Sequence, residues 1–438
     1  SQQAGDQAFE KYVDGLLDVI LPDDSVKDYL GREEILFLGP DEGTAHVMDW
    51  AARRAQQRGY KFWKAFSTGK SSEEGGIPHD LYGMTTNSVH EYVLGILAKL
   101  GLKEENIKKA QTGGPDGDLG SNEILMSRDK TVCIIDGSGV LYDPNGLNRE
   151  ELKALAKRRT MVEHFDRSKL SSGGFFVHVK DRDVTLPDGT EVGNGTEFRN
   201  TFHLHPMLKA DLFVPCGGRP NSINIQNWRQ LLDKDGTPRF KYIVEGANLF
   251  LTQEARLALE HVGVIVFKDA SANKGGVTSS SLEVLVSLAL TDEEYASRLI
   301  VKDGKVPEFR EAYVGDAVSV IRANARLEFE SLWKEHELTK VPLAVLSDQL
   351  SNKINKVTDA IGGSSLSEDP DLSAKVLAKH CPPTLVAAVG IEEMLKRIPP
   401  NYTKAIVSSW LASHFVYTRG LDAGEVDFHE FLTEVRTG

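Results

Sequence analysis

"QTGGPDGDLGSNEIL", residues 111–125, sets Gly113, Gly114, Gly117 and Gly120 around Asp116 and Asp118. Glycines let a backbone come close to a pyrophosphate. The helix expected over Leu119–Met126 would turn unpaired N–H groups and a positive dipole end toward it. Next comes the apolar run Thr131-Val132-Cys133-Ile134-Ile135, which reads as a buried strand ending in Asp136. Asp136 lies sixteen residues after Gly120, close to the spacing at which a carboxylate accepts hydrogen bonds from an adenosine ribose. Strand, glycine turn, helix, strand and acid in this order form the dinucleotide-binding pattern. A carboxylate at its end disfavours a 2'-phosphate, so NAD is expected rather than NADP. Against this, Gly-Pro-Asp-Gly is also a common turn. The first strand, Asn106 to Gln111, is only weakly apolar, and Gly114, Gly117 and Gly120 depart from GxGxxG by being three apart.

Downstream, three more apolar runs end in turns rich in glycine and amides. Asp211–Pro215 leads into Cys216-Gly217-Gly218, Tyr242–Val244 into Glu245-Gly246-Ala247-Asn248, and Val264–Phe267 into Lys268 through Gly276. Continuous apolar strands with helical segments between them predict an α/β protein with a Rossmann-like, doubly wound, mostly parallel sheet. Ligands of such sheets gather at the strands' carboxyl ends. The stretch "VTLPDGTEVGNGTEF", 184–198, reads as a small hairpin insertion around Pro187-Asp188-Gly189.

Upstream, Phe9, Val13, Leu16, Leu17 and Ile20 mark a helix stopped near Pro22. Glu34–Leu38 is a short strand candidate, followed by the turn Gly39-Pro40-Asp41-Glu42-Gly43-Thr44 and a helix to about Gln57. Val89, Tyr92, Val93, Ile96, Leu97 and Leu100 share one helical face, closed by Gly101. From about residue 291 onward the pattern is helical.

A chain of 438 residues should form two or three domains. Its 51 basic and 64 acidic side chains give a net charge of -13, which repels a phosphate backbone, so nucleic acid is not an expected partner. No apolar run is long enough to span a membrane and the start lacks a secretory signal, so neither membrane nor secretion is expected. Cys133, Cys216 and Cys381 form no CxxC pair, which suits a reducing compartment and predicts no metal site.

The blocks "LGPDEGTAHVMDW", "STGKSSEEGGIPHDLYGMTTNSV", "QTGGPDGDLGSNEIL", "IIDGSGVLYDPNGL", "DLFVPCGGRPNSIN", "YIVEGANLFLTQEA" and "FKDASANKGGVTSSSLEVL" resemble the glutamate dehydrogenases over nearly the whole chain. More narrowly, they resemble the large NAD-specific kind of fungi. The resemblance implies oxidative deamination of L-glutamate to 2-oxoglutarate and ammonia with reduction of NAD. It implies a homo-oligomer, a tetramer. The expected compartment is the cytoplasm, with the mitochondrion as the alternative. Asp41 matches the family's catalytic aspartate, which would move protons for the amine and the attacking water. Thr85 matches a threonine that fixes the nicotinamide carboxamide; an N-cap is its plain alternative. Asn248 and Asn273 match cofactor-contacting amides, and Ser280 a serine that binds the side-chain carboxylate of glutamate. Gly117-Asp118-Leu119-Gly120 aligns with the family's Gly-Asn-Val-Gly. Gly114, Gly117, Asp118, Gly120, Asp136 and Gly217 are thus the remaining cofactor-binding candidates. An inward-facing Asp118 would repel the phosphates.

Hydride transfer also needs a cation to polarise the intermediate, which the family supplies as a lysine in a glycine-rich stretch upstream of the aspartate. Only Lys11 and Lys27 precede Asp41, and neither has such surroundings. The chain is therefore expected to be the carboxyl-terminal part of a longer polypeptide and inactive by itself. The expected division is 1–60, the end of a substrate domain carrying the Asp41 loop; 61–290, the NAD-binding domain; and 291–438, a carboxyl-terminal helical region. Lys64, Lys70 and Lys274 are the substitutes to consider if the chain proves active. Alternatives are a dehydrogenase for branched-chain or aromatic amino acids, or a module that senses NAD without turnover.

Overall fold

The computed structural model describes residues 2–21, 35–40 and 43–438. The Asp41 expectation lies outside the described residues. Nine strands are present among them: β1 Lys108–Thr112, β2 Lys130–Ile135, β3 Gly139–Tyr142, β4 Phe175–His178, β5 Arg182–Thr185, β6 Glu191–Asn194, β7 Leu212–Pro215, β8 Tyr242–Val244 and β9 Ile265–Phe267. Seven form one sheet in the order β4-β3-β2-β1-β7-β8-β9, while β5 and β6 pair as a separate hairpin. β2, β1, β7, β8 and β9 run parallel, and β3 and β4 add an antiparallel edge. The strand order reverses between β1 and β7, so a crevice opens there at the carboxyl ends.

The sheet is doubly wound, as the apolar runs predicted. On β7, Leu212 and Val214 enter one hydrophobic cluster and the intervening Phe213 another; Tyr242, Val244 and Ile243 of β8 divide in the same way. Successive side chains on a strand point to opposite faces, so uninterrupted apolar runs mean that both faces are covered.

β1 is weakly apolar because its core is polar. Lys109 is wholly buried and bonds to Glu123 at 3.0 Å and Asp129 at 3.1 Å. Burial alone would lower the Lys109 pKa, but the charges of Asp129 and Glu123 more than offset it and the net shift is upward. Two positions along, the buried Gln111 donates through Nε2 to the carbonyls of Gly113 (2.9 Å) and Gly120 (3.0 Å). The strand gives up apolar signal in order to brace the glycine loop from below.

The structure departs from the sequence expectations in three places. Residues 35–40 form no sheet strand; Leu38 makes a single parallel bridge to Ser67, because the neighbouring chain at Phe66–Thr68 offers one matched pair of backbone groups. The antiparallel pair β3 and β4 was not foreseen: each is four residues long and opens beside glycines, which read as turn. The β5–β6 hairpin gives way at Gly195 to a Gly195–Thr201 helix, where Asn194 caps the end by accepting from the Glu197 N–H at 3.1 Å.

The helices at the other end share a core with the sheet. One cluster runs from Val13 and Leu17 of the Gln2–Ile20 helix through Tyr92, Val214 and Phe267 to Phe329, Leu346 and Leu411 of the carboxyl-terminal helices. Tyr92, Phe267 and Phe329 meet with ring centroids 5.1–5.9 Å apart. Such pairs add about 0.5–1.5 kcal/mol each beyond their buried area. The 32-residue Glu308–Thr339 helix carries polar ties along its length: buried Arg310 to the carbonyls of Leu299 and Gly76, and Arg322 to Asn87.

Candidate functional site

The crevice at the strand ends holds a cavity of about 330 Å3. Thr112, Gly113, Gly114, Asp116 and Gly117 line it from the loop after β1, Asp136 and Gly137 from the end of β2, and Cys216, Gly217 and Gly218 from the loop after β7. Gly114, Gly117, Asp136 and Gly217 are thereby brought together. At Gly113 and Gly114 nothing larger fits. Gly113 has φ +80°, and a Cβ on it would lie 2.6 Å from the Cys216 carbonyl carbon. On Gly114 it would lie 2.3 Å from Asp136 Oδ2, and on Gly120 2.3 Å from the Gly114 carbonyl oxygen. Gly120 therefore sits under the loop, packing helix on strand.

The Asp118–Met126 helix begins at Gly117 with no side-chain cap, so its first-turn N–H groups have no partner from a capping side chain. Asp118 does not line the cavity. Its carboxylate accepts from Asn122 Nδ2 one turn along the same helix, at 3.2 Å, and Asn122 also donates to the Asp80 carbonyl. Of the two acids in the loop, Asp116 is the one that lines the cavity.

Asp136 is 6% exposed and largely engaged. Its Oδ1 accepts from the Ser138 N–H (2.8 Å) and hydroxyl (2.6 Å), and Oδ2 accepts from the Val162 N–H (2.8 Å). With two lone-pair sites per oxygen, Oδ2 retains room for one further donor. Burial pushes the carboxyl up from its ordinary value, against hydrogen bonds from Ser138 and Val162 that pull it down, with Asp116 adding to the rise.

Further along the row of strand ends, Asn273 Nδ2 donates to Asn248 Oδ1 (2.6 Å) and to the Gly246 carbonyl (2.9 Å). The loop that holds Asn248 is fixed from below. Glu245 and Arg256 form a buried two-pronged ion pair at 2.7 and 2.8 Å, and Asp269 accepts from the N–H of Leu249, which is left-handed at φ +64°.

Thr85 and Ser280 belong to a second cluster, at the start of the Gly275–Ala289 helix. Thr85 lies within the first turn of the Met84–Leu100 helix, whose cap position is Gly83. Thr85 Oγ1 and His79 Nδ1 both crowd Gly276, at 3.2 and 3.4 Å from where its Cβ would be. Ser280 Oγ lies 3.2 Å from His79 Nε2 and 3.0 Å from Thr68 Oγ1. One turn beyond Ser280, Glu283 is buried against Lys70 at 3.4 Å and accepts from the N–H groups of Gly69 and Ile77. Burial pushes the Glu283 carboxyl up, and it holds the His79 imidazole below its ordinary value. The segment that precedes Asp41 reaches this cluster: the Thr68 N–H donates to the Leu38 carbonyl, and Pro40 packs against Gly69. No local sequence pattern marks His79, Thr68 or Glu283.

Lys64, Lys70 and Lys274 are all committed. Lys64 donates to the Leu290 carbonyl and pairs with Asp292, Lys70 donates to the Lys64 and Ser67 carbonyls, and Lys274 pairs with Glu328. A second cavity, about 570 Å3 and lined by Lys274, Glu328 and His414 among others, contains none of the expected cofactor- or substrate-binding residues. Among the described residues no three His, Cys, Asp or Glu side chains are grouped to hold a metal, and no helix is long and apolar enough to cross a membrane.

Fold and crevice together define a doubly wound α/β protein with a glycine-rich site at its switch point. The model of the Glutamate/Leucine/Phenylalanine/Valine dehydrogenase family matches residues 75–339, and the chain belongs to that family. It is 56% identical over 435 residues to glutamate dehydrogenase 2 of Dictyostelium discoideum, covering 99% of this chain and 42% of that protein. With the NAD-specific glutamate dehydrogenase of Neurospora crassa the identity is 51% over 435 residues, covering 98% and 41%. With that of Saccharomyces cerevisiae it is 48% over 438 residues, covering 97% and 40%. The chain thus spans about two fifths of the length of these relatives. The crystal structure of Plasmodium falciparum glutamate dehydrogenase superposes with a TM-score of 0.52 at 17% identity, covering 78% of this chain and 62% of that one, which establishes likeness of fold.

Proposed function

We propose that this chain is the cofactor-binding part of an NAD-dependent glutamate dehydrogenase, which converts L-glutamate to 2-oxoglutarate and ammonia. The observation that carries the reading is the cavity where Gly114, Gly117, Asp136 and Gly217 meet at the switch point beside an uncapped helix end. The cavity fits a dinucleotide: its glycines leave the backbone open to close approach, and Oδ2 of Asp136 can take one ribose hydroxyl. NAD would supply a hydride acceptor for the glutamate α-carbon.

The chain's own residues would do the rest. The loop Gly113–Gly117 and the amides of the following helix would hold the diphosphate. Thr85, Asn248 and Asn273 would orient the nicotinamide half, and Ser280 would donate to the side-chain carboxylate of glutamate. Asp41 would take the proton from the amine and activate water. The polar surroundings of Ser280, with His79 and Thr68 in reach, favour a carboxylate over an apolar side chain. The polarising lysine would come from outside this chain, since Lys64, Lys70 and Lys274 are engaged. The division at residues 60 and 290, a homo-oligomeric state with four subunits, and a cytoplasmic location belong to the same proposal.

The test is Asp41→Asn in the intact protein. Loss of a general acid–base group should lower glutamate-dependent NAD reduction by about 10²–10⁴-fold while NAD affinity stays within a factor of a few. An unchanged rate would remove Asp41 from the chemistry.

A further inference from the structure

The glycine cavity has a wall that a bare strand-helix-strand unit does not supply. Between β2 and β7 the chain inserts β3, β4, the β5–β6 hairpin and the Gly195–Thr201 helix. This insertion is firmly seated. Phe198 and Phe202 are buried against Phe175 of β4, and Phe202 also meets Tyr142 of β3, with ring centroids 5.6–6.1 Å apart. His203 Nε2 lies 3.0 Å from the Ser222 carbonyl, which ties the insertion to the loop after β7. Held in this way, Arg199, Asn200 and His203 line the cavity from the insertion, and Arg219 joins them from the β7 loop.

Both arginines lack a partner among the described residues: neither guanidinium makes a hydrogen bond or an ion pair there. The Nε of Arg199 is buried and unsatisfied. A donor kept from water with no acceptor is costly, so the Arg199 guanidinium, at the wall of the cavity, suits an acceptor that arrives from outside. The same cavity holds the carboxylates of Asp116 and Asp136, yet no arginine pairs with either. Two acids and two guanidinium groups balance. A phosphate entering the loop therefore meets no net negative charge, although the loop itself contributes an aspartate.

We propose that Arg199 and Arg219 form the cationic side of a diphosphate subsite and grip the phosphates of the ADP half of the dinucleotide from across the glycine loop. This rests on the NAD-binding reading above and adds a clamp to it from the insertion. The group gripped is the diphosphate rather than a 2'-phosphate. Asp136 lies against Gly114, where the ribose hydroxyls belong, and it would repel a phosphate there. Planar guanidinium groups suit the paired oxygens of phosphates.

The experiment compares ADP, adenosine and 2',5'-ADP, titrated by ligand-observed NMR into the intact protein and its Arg199→Met and Arg219→Met variants. ADP binding should weaken roughly ten- to a hundredfold in each variant, since charge-assisted hydrogen bonds are lost. Adenosine binding should stay within twofold, and Arg219→Lys should recover part of the ADP affinity. Arg219 is exposed, so its replacement should leave the melting temperature unchanged and separate binding from folding. Unaltered ADP binding in the variants, or equal losses for ADP and adenosine, would overturn the clamp while leaving the NAD reading in place. Tighter binding of 2',5'-ADP than of ADP, lost in the variants, would overturn it by reassigning the pair to a 2'-phosphate. Absence of ADP and NAD binding by the unaltered protein would overturn both readings.

Discussion

The glycine cavity and the Ser280 cluster are built in opposite ways. At the cavity the backbone does the shaping: Gly113, Gly114 and Gly120 have neighbours within 3 Å of any added Cβ. Around Ser280 side chains do it, with Thr68, His79 and a buried Lys70–Glu283 pair drawn from distant parts of the chain. A backbone-built site should fail through steric overlap, and a side-chain-built site through uncompensated charge. Substitutions can separate the two.

The largest effect is expected at the second site. Lys70→Met strands the Glu283 carboxylate, which is 1% exposed, with two backbone N–H groups as its remaining donors. Breaking a buried pair from one side costs about 3–5 kcal/mol, to be read by urea denaturation. A loss below about 1 kcal/mol would show that the pair is not the support it looks to be. Gly120→Ala comes next. Its methyl meets two backbone carbonyl oxygens, and overpacking of this kind costs about 1–3 kcal/mol. Because the strain falls on the loop, NAD binding should fall further than stability does. An alanine variant that binds NAD normally would mean that the loop yields easily.

The smallest and most discriminating effect is that of pH. Folding raises the Asp136 pKa, mainly through burial, so its contribution to stability is full below the ordinary value of 3.8 and is lost as pH rises through the folded value. Folding lowers the His79 pKa, again through burial, so its contribution is full above 6.5 and is lost as pH falls through the folded value. Between those limits, acidification should relieve the β2 end and loosen the start of the Gly275–Ala289 helix. Amide exchange, corrected for its intrinsic pH dependence, should show protection changing in opposite senses at Ser138 and around Ser280. Changes in the same sense at both places would erase the distinction.

The same contrast explains what could be read in the sequence. β7, β8 and β9 announce themselves because both faces are apolar, and the glycine loop because its spacing is local. β1 is faint because Lys109 and Gln111 spend their burial on ions and carbonyls rather than on hydrocarbon. β3 and β4 are missed because four residues flanked by glycines carry too little pattern. His79 and Thr68 meet Ser280 across 201 and 212 residues, and the Gly195–Thr201 helix is masked by the hairpin just before it. Proximity of that kind follows from topology, which a local pattern does not encode. Asp118 shows the converse: its place in the glycine motif is plain, yet Asn122, one turn along, draws its carboxylate along the helix.

The long reach of Arg310 also bears on how the chain is made. It closes over the Gly76 carbonyl across 234 residues, and Lys64 finds its acceptor at Leu290 across 226. Synthesis at about 5–20 residues per second puts roughly 10–50 s between the emergence of residues 64–76 and that of their partners. During that interval Lys70 has its local carbonyl acceptors but no Glu283 to pair with, and the N–H groups of Gly69 and Ile77 wait for the same carboxylate. The early third of the chain therefore waits on residues of the middle and last thirds to complete its polar contacts, so closure of this region comes late in folding.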